Sequence, residues 1–127
     1  MAKPTNSELE ILQILWREKQ ASVKQVHEQI DEQREEDVKY TTILKLMQIM
    51  NEKGLVSRDT SKRTHIYKAE VSERATQQNL LQRFVNQAFS GSTKQLVMQA
   101  LGTQEASAEE LQEIKALIEK MEREQKK

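Results

Sequence analysis

Apolar residues recur at helical spacing in six stretches of the chain and alternate with polar ones in two short stretches between the third and the fourth. In the first, Leu9, Ile11, Leu12, Leu15 and Trp16 follow Thr5, with Glu8 three residues after it. That pair is the reciprocal cap of a helix start, and the helix is predicted to end near Glu18. Ser22 and Gln25 repeat the signal before Val23, Val26 and Ile30, a stripe narrow enough for a short helix with one buried face. The polar run Asp31 to Asp37 ends it. Ile43, Leu44, Met47 and Met50 define a third helix from Tyr40, and Gly54 supplies the left-handed residue that closes one. Leu55-Val56-Ser57-Arg58 and Thr64-His65-Ile66-Tyr67-Lys68 then alternate around Asp59 to Arg63, which predicts a small β-hairpin.

Beyond Val71, three further helical stretches each open on a serine: Ser72, Ser92 with Gln95, and Ser107 with Glu110. Their apolar stripes include Leu80, Phe84 and Val85 in the first, Leu96, Val97 and Leu101 in the second, and Leu111, Ile114, Ile118 and Met121 in the third. A tail this small with so few rings buries too little surface alone, so the stripes are read as the seam of a homodimer. The alternating charges from Lys115 to Lys127 are expected to fray.

Three helices followed by a hairpin make a winged helix-turn-helix, mainly α with a small β wing, over residues 1–71. Residues 72–127 form a three-helix dimerisation tail. The third helix then has the dimensions and side chains of a major-groove reader. Thr41, Thr42, Lys45 and Gln48 share its polar face, with no acid before Glu52, and Lys39 and Tyr40 stand at its start. Lys62 and Arg63 at the hairpin tip can hold the neighbouring phosphate backbone. Trp16 and Tyr67 are assigned to the core, and Tyr40 either to the start of the helix or to stacking on the backbone.

A net charge of zero over 127 residues argues at first against a nucleic-acid partner, yet the charge is divided. From Val38 to Lys68 there are seven basic residues against Glu52 and Asp59. From Glu28 to Asp37 there are six acids against Arg34. The basic segment coincides with the proposed reader. The acidic one offers an alternative, a winged-helix module that binds another protein through this segment or through the apolar tail without reading DNA sequence.

The chain contains no cysteine, which removes disulfides, thiolate zinc sites and thiol nucleophiles. His27 and His65 lie in different elements without further ligands around them, so no metal site is expected and no cofactor is implied. Glu35, Glu36 and Asp37 crowd a polar loop with no pocket signal, and neither a nucleophile nor a phosphate loop can be named. An enzyme is therefore not expected. No run of about 18 apolar residues exists and the first residues lack a secretory apolar core, so a cytoplasmic protein is expected.

Leu9-Glu10-Ile11-Leu12 through Leu15-Trp16, Tyr40-Thr41-Thr42-Ile43-Leu44, Lys53-Gly54-Leu55-Val56-Ser57-Arg58, Tyr67, Val71-Ser72, and Phe89-Ser90-Gly91-Ser92 before Leu96-Val97 occur in one order and spacing. In this the chain resembles the penicillinase repressor family, BlaI/MecI-type regulators of bacteria, over nearly its whole length. The resemblance implies a homodimeric repressor on double-stranded DNA bearing an inverted-repeat operator, with Thr41, Thr42 and Lys45 facing the groove and Arg63 on the wing. It also implies an upstream sensor-protease in antibiotic-responsive members, which cleaves an Asn-Phe bond in the second tail helix. Here that stretch reads Gln99-Ala100, so cleavage is not carried over. The cysteine motif of copper-responsive relatives is absent. Thr60-Ser61-Lys62-Arg63 stands where relatives commonly have a glycine before the arginine.

Overall fold

The computed structural model describes residues 3–103 and 105–125. Helix α1 spans Asn6–Glu18, strand β1 Ala21–Ser22, α2 Val23–Gln33, α3 Tyr40–Lys53, β2 Val56–Asp59, β3 Ile66–Ala69, α4 Glu73–Phe89, α5 Thr93–Thr103 and α6 Ala108–Gln125. Caps set most of these limits. Thr5 and Glu8 exchange side-chain and backbone bonds at the start of α1, and Ser22 and Gln25 do so at the start of α2. Ser107 and Glu110 repeat the exchange before α6, while Ser72 and Ser92 each accept from a backbone amide three residues on.

Gly54 closes α3 at φ 81°, and its amide donates back to the Asn51 and Met50 carbonyls. A Cβ at Gly54 would meet no atom, so Gly54→Ala tests backbone conformation alone. It is expected to cost about 1 kcal/mol in urea unfolding, with no loss of helix content.

The predicted hairpin is part of a three-stranded antiparallel sheet of order β1-β3-β2. Ala21 pairs with Tyr67, and Arg58 pairs with Tyr67 from the other side. A two-residue strand leaves no period in the sequence, which is why β1 goes unseen there. Ile11, Leu12, Ile14 and Leu15 of α1, Val26 and Ile30 of α2, and Ile43, Met47 and Met50 of α3 are buried in one core with Leu55, Val56 and Tyr67. Each such aliphatic side chain contributes about 1.5–3 kcal/mol by leaving water. Trp16 packs at the edge of this core, its indole Nε1 donating to the Val71 carbonyl at 2.9 Å.

One compact unit ends at Leu81 and a second begins at Gln82, so the first part of α4, including buried Thr76, belongs with the N-terminal unit. In the second unit Phe84 and Phe89 meet edge-on at 5.7 Å. The expected fraying after Lys115 is not observed: α6 continues to Gln125. Lys115 with Glu119, Glu119 with Arg123, and Lys120 with Glu124 stand four residues apart, a spacing at which opposite charges support a helix. Lys126 and Lys127 lie outside the described residues.

Candidate nucleic-acid interface

Helix α3 has two faces of opposite character. Ile43, Met47 and Met50 are at most 2% exposed, whereas Tyr40, Thr41, Thr42, Lys45 and Gln48 are all exposed. The cause is the 3.6-residue period acting on a sequence whose apolar positions fall on one side. Lys39 is the N-cap, with extended backbone and no side-chain cap bond, so its ammonium is not spent on the helix end.

The segment between α2 and α3 is held from both sides of one residue. His27 Nε2 donates to the Val38 carbonyl at 2.5 Å, and the Val38 amide donates to Asp31 Oδ1 at 3.1 Å. His27 and Asp31 are one turn apart on α2, so together they set where α3 begins. His27 also meets Tyr40 edge-on at 5.8 Å. The residue weighed as a metal ligand thus positions the reading helix, and among the described residues no group of three or more possible metal ligands occurs. The one base of the acidic segment is likewise structural, since Arg34 forms an ion pair with Glu10 of α1 that raises the guanidinium's pKa.

A second ion pair fixes the far end of α3. Lys53 Nζ lies 2.9 Å from both oxygens of the buried Glu8 carboxylate, which also accepts from the Thr5 amide at 2.9 Å. Burial alone would push the Glu8 carboxyl up. The Lys53 ammonium and the Thr5 bonds outweigh it and hold the carboxyl below its usual range.

Lys62 and Arg63 are exposed in the β2–β3 turn. In place of a glycine, Asp59 shapes this turn, its Oδ1 accepting from the Ser61 amide at 2.9 Å. The Ser61 hydroxyl and amide, and to a smaller extent the charges of Lys62 and His65, hold the Asp59 carboxyl low. Between α3 and the wing lies a cleft of about 360 Å³, lined among others by Tyr40, Gln48, Arg58, Arg63, His65 and Tyr67. Neither Arg58 nor His65 is among the residues the sequence assigns to DNA contact. Arg58 is the register partner of Tyr67, and that pairing is what brings it to the cleft, whereas His65 stands just before β3.

Of the tail residues read as a seam, Phe84, Val97, Leu101, Leu111, Ile118 and Met121 are exposed. Leu80, Leu96 and Ile114 are half-buried, and Val85 is buried. Leu81, beside Leu80 in the first stripe, is exposed, and so are Met98 and Leu117, which were not in that set.

A helix-turn-helix whose second helix turns outward a polar face with no acid before Glu52, beside a basic wing, defines a DNA-binding transcriptional regulator. No described helix is long and apolar enough to cross a membrane. The sequence profile of the family described as penicillinase repressor matches residues 4–120, and the chain belongs to that family. It is similar to the methicillin resistance regulatory protein MecI of Mammaliicoccus sciuri, 26% identical over 116 residues, 91% of this chain and 93% of that one. MecI of Staphylococcus aureus strain N315 is 25% identical over the same shares, and the penicillinase repressor of Staphylococcus aureus is 22% identical over 88% of this chain and 87% of its own. The family consists of transcriptional regulators and not enzymes, and this chain is a transcriptional repressor.

Proposed function

We propose that the chain represses transcription as a homodimer on an inverted-repeat operator, with residues 1–71 reading DNA and residues 72–127 forming the dimer. The reading rests chiefly on α3, whose exposed Thr41, Thr42, Lys45 and Gln48 stand opposite the buried Ile43, Met47 and Met50. Short hydroxyl and amide groups can meet base edges in the major groove while Lys45 reaches a base edge or phosphate. Lys39 and Tyr40 lie at the helix start, and Lys62 and Arg63 reach the flanking backbone. Dimerisation is supported by the apolar side chains left in water along α6, where Leu111, Leu117, Ile118 and Met121 are each about half exposed. Two readers then take half-sites about 10 base pairs apart, or a small multiple of that. The repressor works in the cytoplasm, needs no cofactor, and is not switched by cleavage at Gln99-Ala100, which lies within α5.

Fluorescence anisotropy with the upstream promoter fragment and a shuffled control, across a salt series, tests this. A preference of about a thousandfold or more is expected; equal binding to both duplexes overturns the assignment. Lys45→Ala and Arg63→Ala are each expected to lower the salt slope by about 1 and to weaken binding to all sequences alike. Thr42→Ala is expected instead to cost about 1–3 kcal/mol on the operator and little on random DNA.

A further inference from the structure

We infer that the cleft between α3 and the wing is an oxyanion seat, in which Arg58, His65 and the Tyr67 hydroxyl hold one phosphate group of the DNA backbone or of a free phosphate ester. The DNA source rests on the proposed reading of α3; the seat itself does not.

Tyr67 carries the argument. It is 1% exposed, yet its hydroxyl makes no hydrogen bond to any described residue. Nor is that oxygen sealed from solvent, since among the described residues the buried side-chain oxygen without a partner is that of Thr76. Tyr67 lines the cleft, so its hydroxyl opens there. A buried phenol ordinarily has a partner, and a donor left open at the floor of a cleft is free for a ligand.

The walls specify the ligand's charge. Arg58 is the register partner of Tyr67, so the pleat turns both to one side of the sheet, and His65, just before β3, lines the same cleft. Arg63 adds a second guanidinium, and no acidic residue lines the cleft. Asp59, the nearest carboxylate in sequence, pairs with Ile66 in the register and is held by Ser61. A guanidinium fork matches two oxygens of a phosphate, which the phenol and imidazole can bond from other sides. At about 360 Å³ the cleft exceeds one phosphate and approaches the small end of ligand sites. Val23, Leu44 and the Tyr40 ring offer apolar surface for the attached sugar or ester group.

The test is a titration of the full chain with inorganic phosphate at constant ionic strength, followed by NMR of the arginine Nε–H and histidine ring signals. Saturable shifts confined to Arg58, Arg63 and His65 are expected, with affinity about tenfold weaker in Tyr67→Phe and Arg58→Gln. Tyr67→Phe removes a hydroxyl with no partner among the described residues, so its unfolding midpoint should match the parent and separate loss of the seat from loss of the fold. Unsaturable shifts spread over surface lysines and arginines, or parental affinity in Tyr67→Phe, overturn the proposal. Repeating the titration with a random-sequence duplex present distinguishes the sources. Displacement of phosphate by the duplex assigns the seat to the DNA backbone, and simultaneous binding assigns it to a free phosphate ester. Neither arm requires operator preference, so failure of the operator reading leaves this result intact.

Discussion

A chain carrying Leu111→Asp together with Ile118→Asp is expected to sediment as a monomer and to bind its operator about 10²- to 10⁴-fold more weakly. Both side chains lie on α6 and are 47% and 49% exposed, so in a single chain the new carboxylates meet water and cost the fold little. In a dimer seam the same carboxylates would be desolvated among like charges. The loss in affinity has a separate origin. With two readers tied together, the second half-site is occupied at a high effective concentration, and a monomer forfeits this without losing one DNA contact. Residual binding should therefore keep the base preference of a single half-site, with a salt slope about half that of the parent. A double variant that remains dimeric and holds the operator as tightly as the parent would rule out α6 as the seam.

The second large effect concerns stability. Lys53→Met is expected to cost about 3–5 kcal/mol in urea unfolding, because it leaves the Glu8 carboxylate buried with only the Thr5 bonds. Glu8→Gln should cost less, about 1–2 kcal/mol. The amide can still accept from Thr5, and Lys53, 36% exposed, can turn its ammonium to water. The two variants are thus unequal although they break the same pair.

Acid should distinguish them further. In the parent the folded Glu8 pKa lies below its unfolded value, so its stabilisation is complete above the unfolded carboxylate range and is lost as pH falls through the folded value. In Lys53→Met the main lowering partner is gone and burial raises the carboxyl, so protonation then favours the folded chain. The stability gap between parent and Lys53→Met should accordingly narrow from about pH 7 to about pH 3. Other carboxylates act on both proteins alike, and a gap that stays constant would show that Glu8 is not held by Lys53.

The order of helices and hairpin was legible because its signals are local. Thr5 with Glu8, Ser22 with Gln25, and Ser107 with Glu110 each satisfy a helix end within three residues, and the structure forms all three exchanges. Gly54 ends α3 for an equally local reason. The expected fraying after Lys115 failed because the charge alternation was read as a solvated end, whereas its four-residue spacing supports the helix. Arg58 and His65 were not assigned to DNA contact because nothing local in the sequence shows that they line one cleft with Tyr67.

What the sequence by itself determined is which segments form helices and strands, where most of them begin, and which face of α3 is apolar; periodicity and capping act between residues at most a few positions apart. Tertiary structure alone decided the addition of β1 to β3, the Glu8–Lys53 pair across 45 positions, the grip of His27 and Asp31 on Val38, and the convergence of Arg58, His65 and Tyr67 on one cleft. Except for His65 and Tyr67, these partners lie too far apart in the chain for any local period to connect them. They meet only because burial of the shared core brings their elements together.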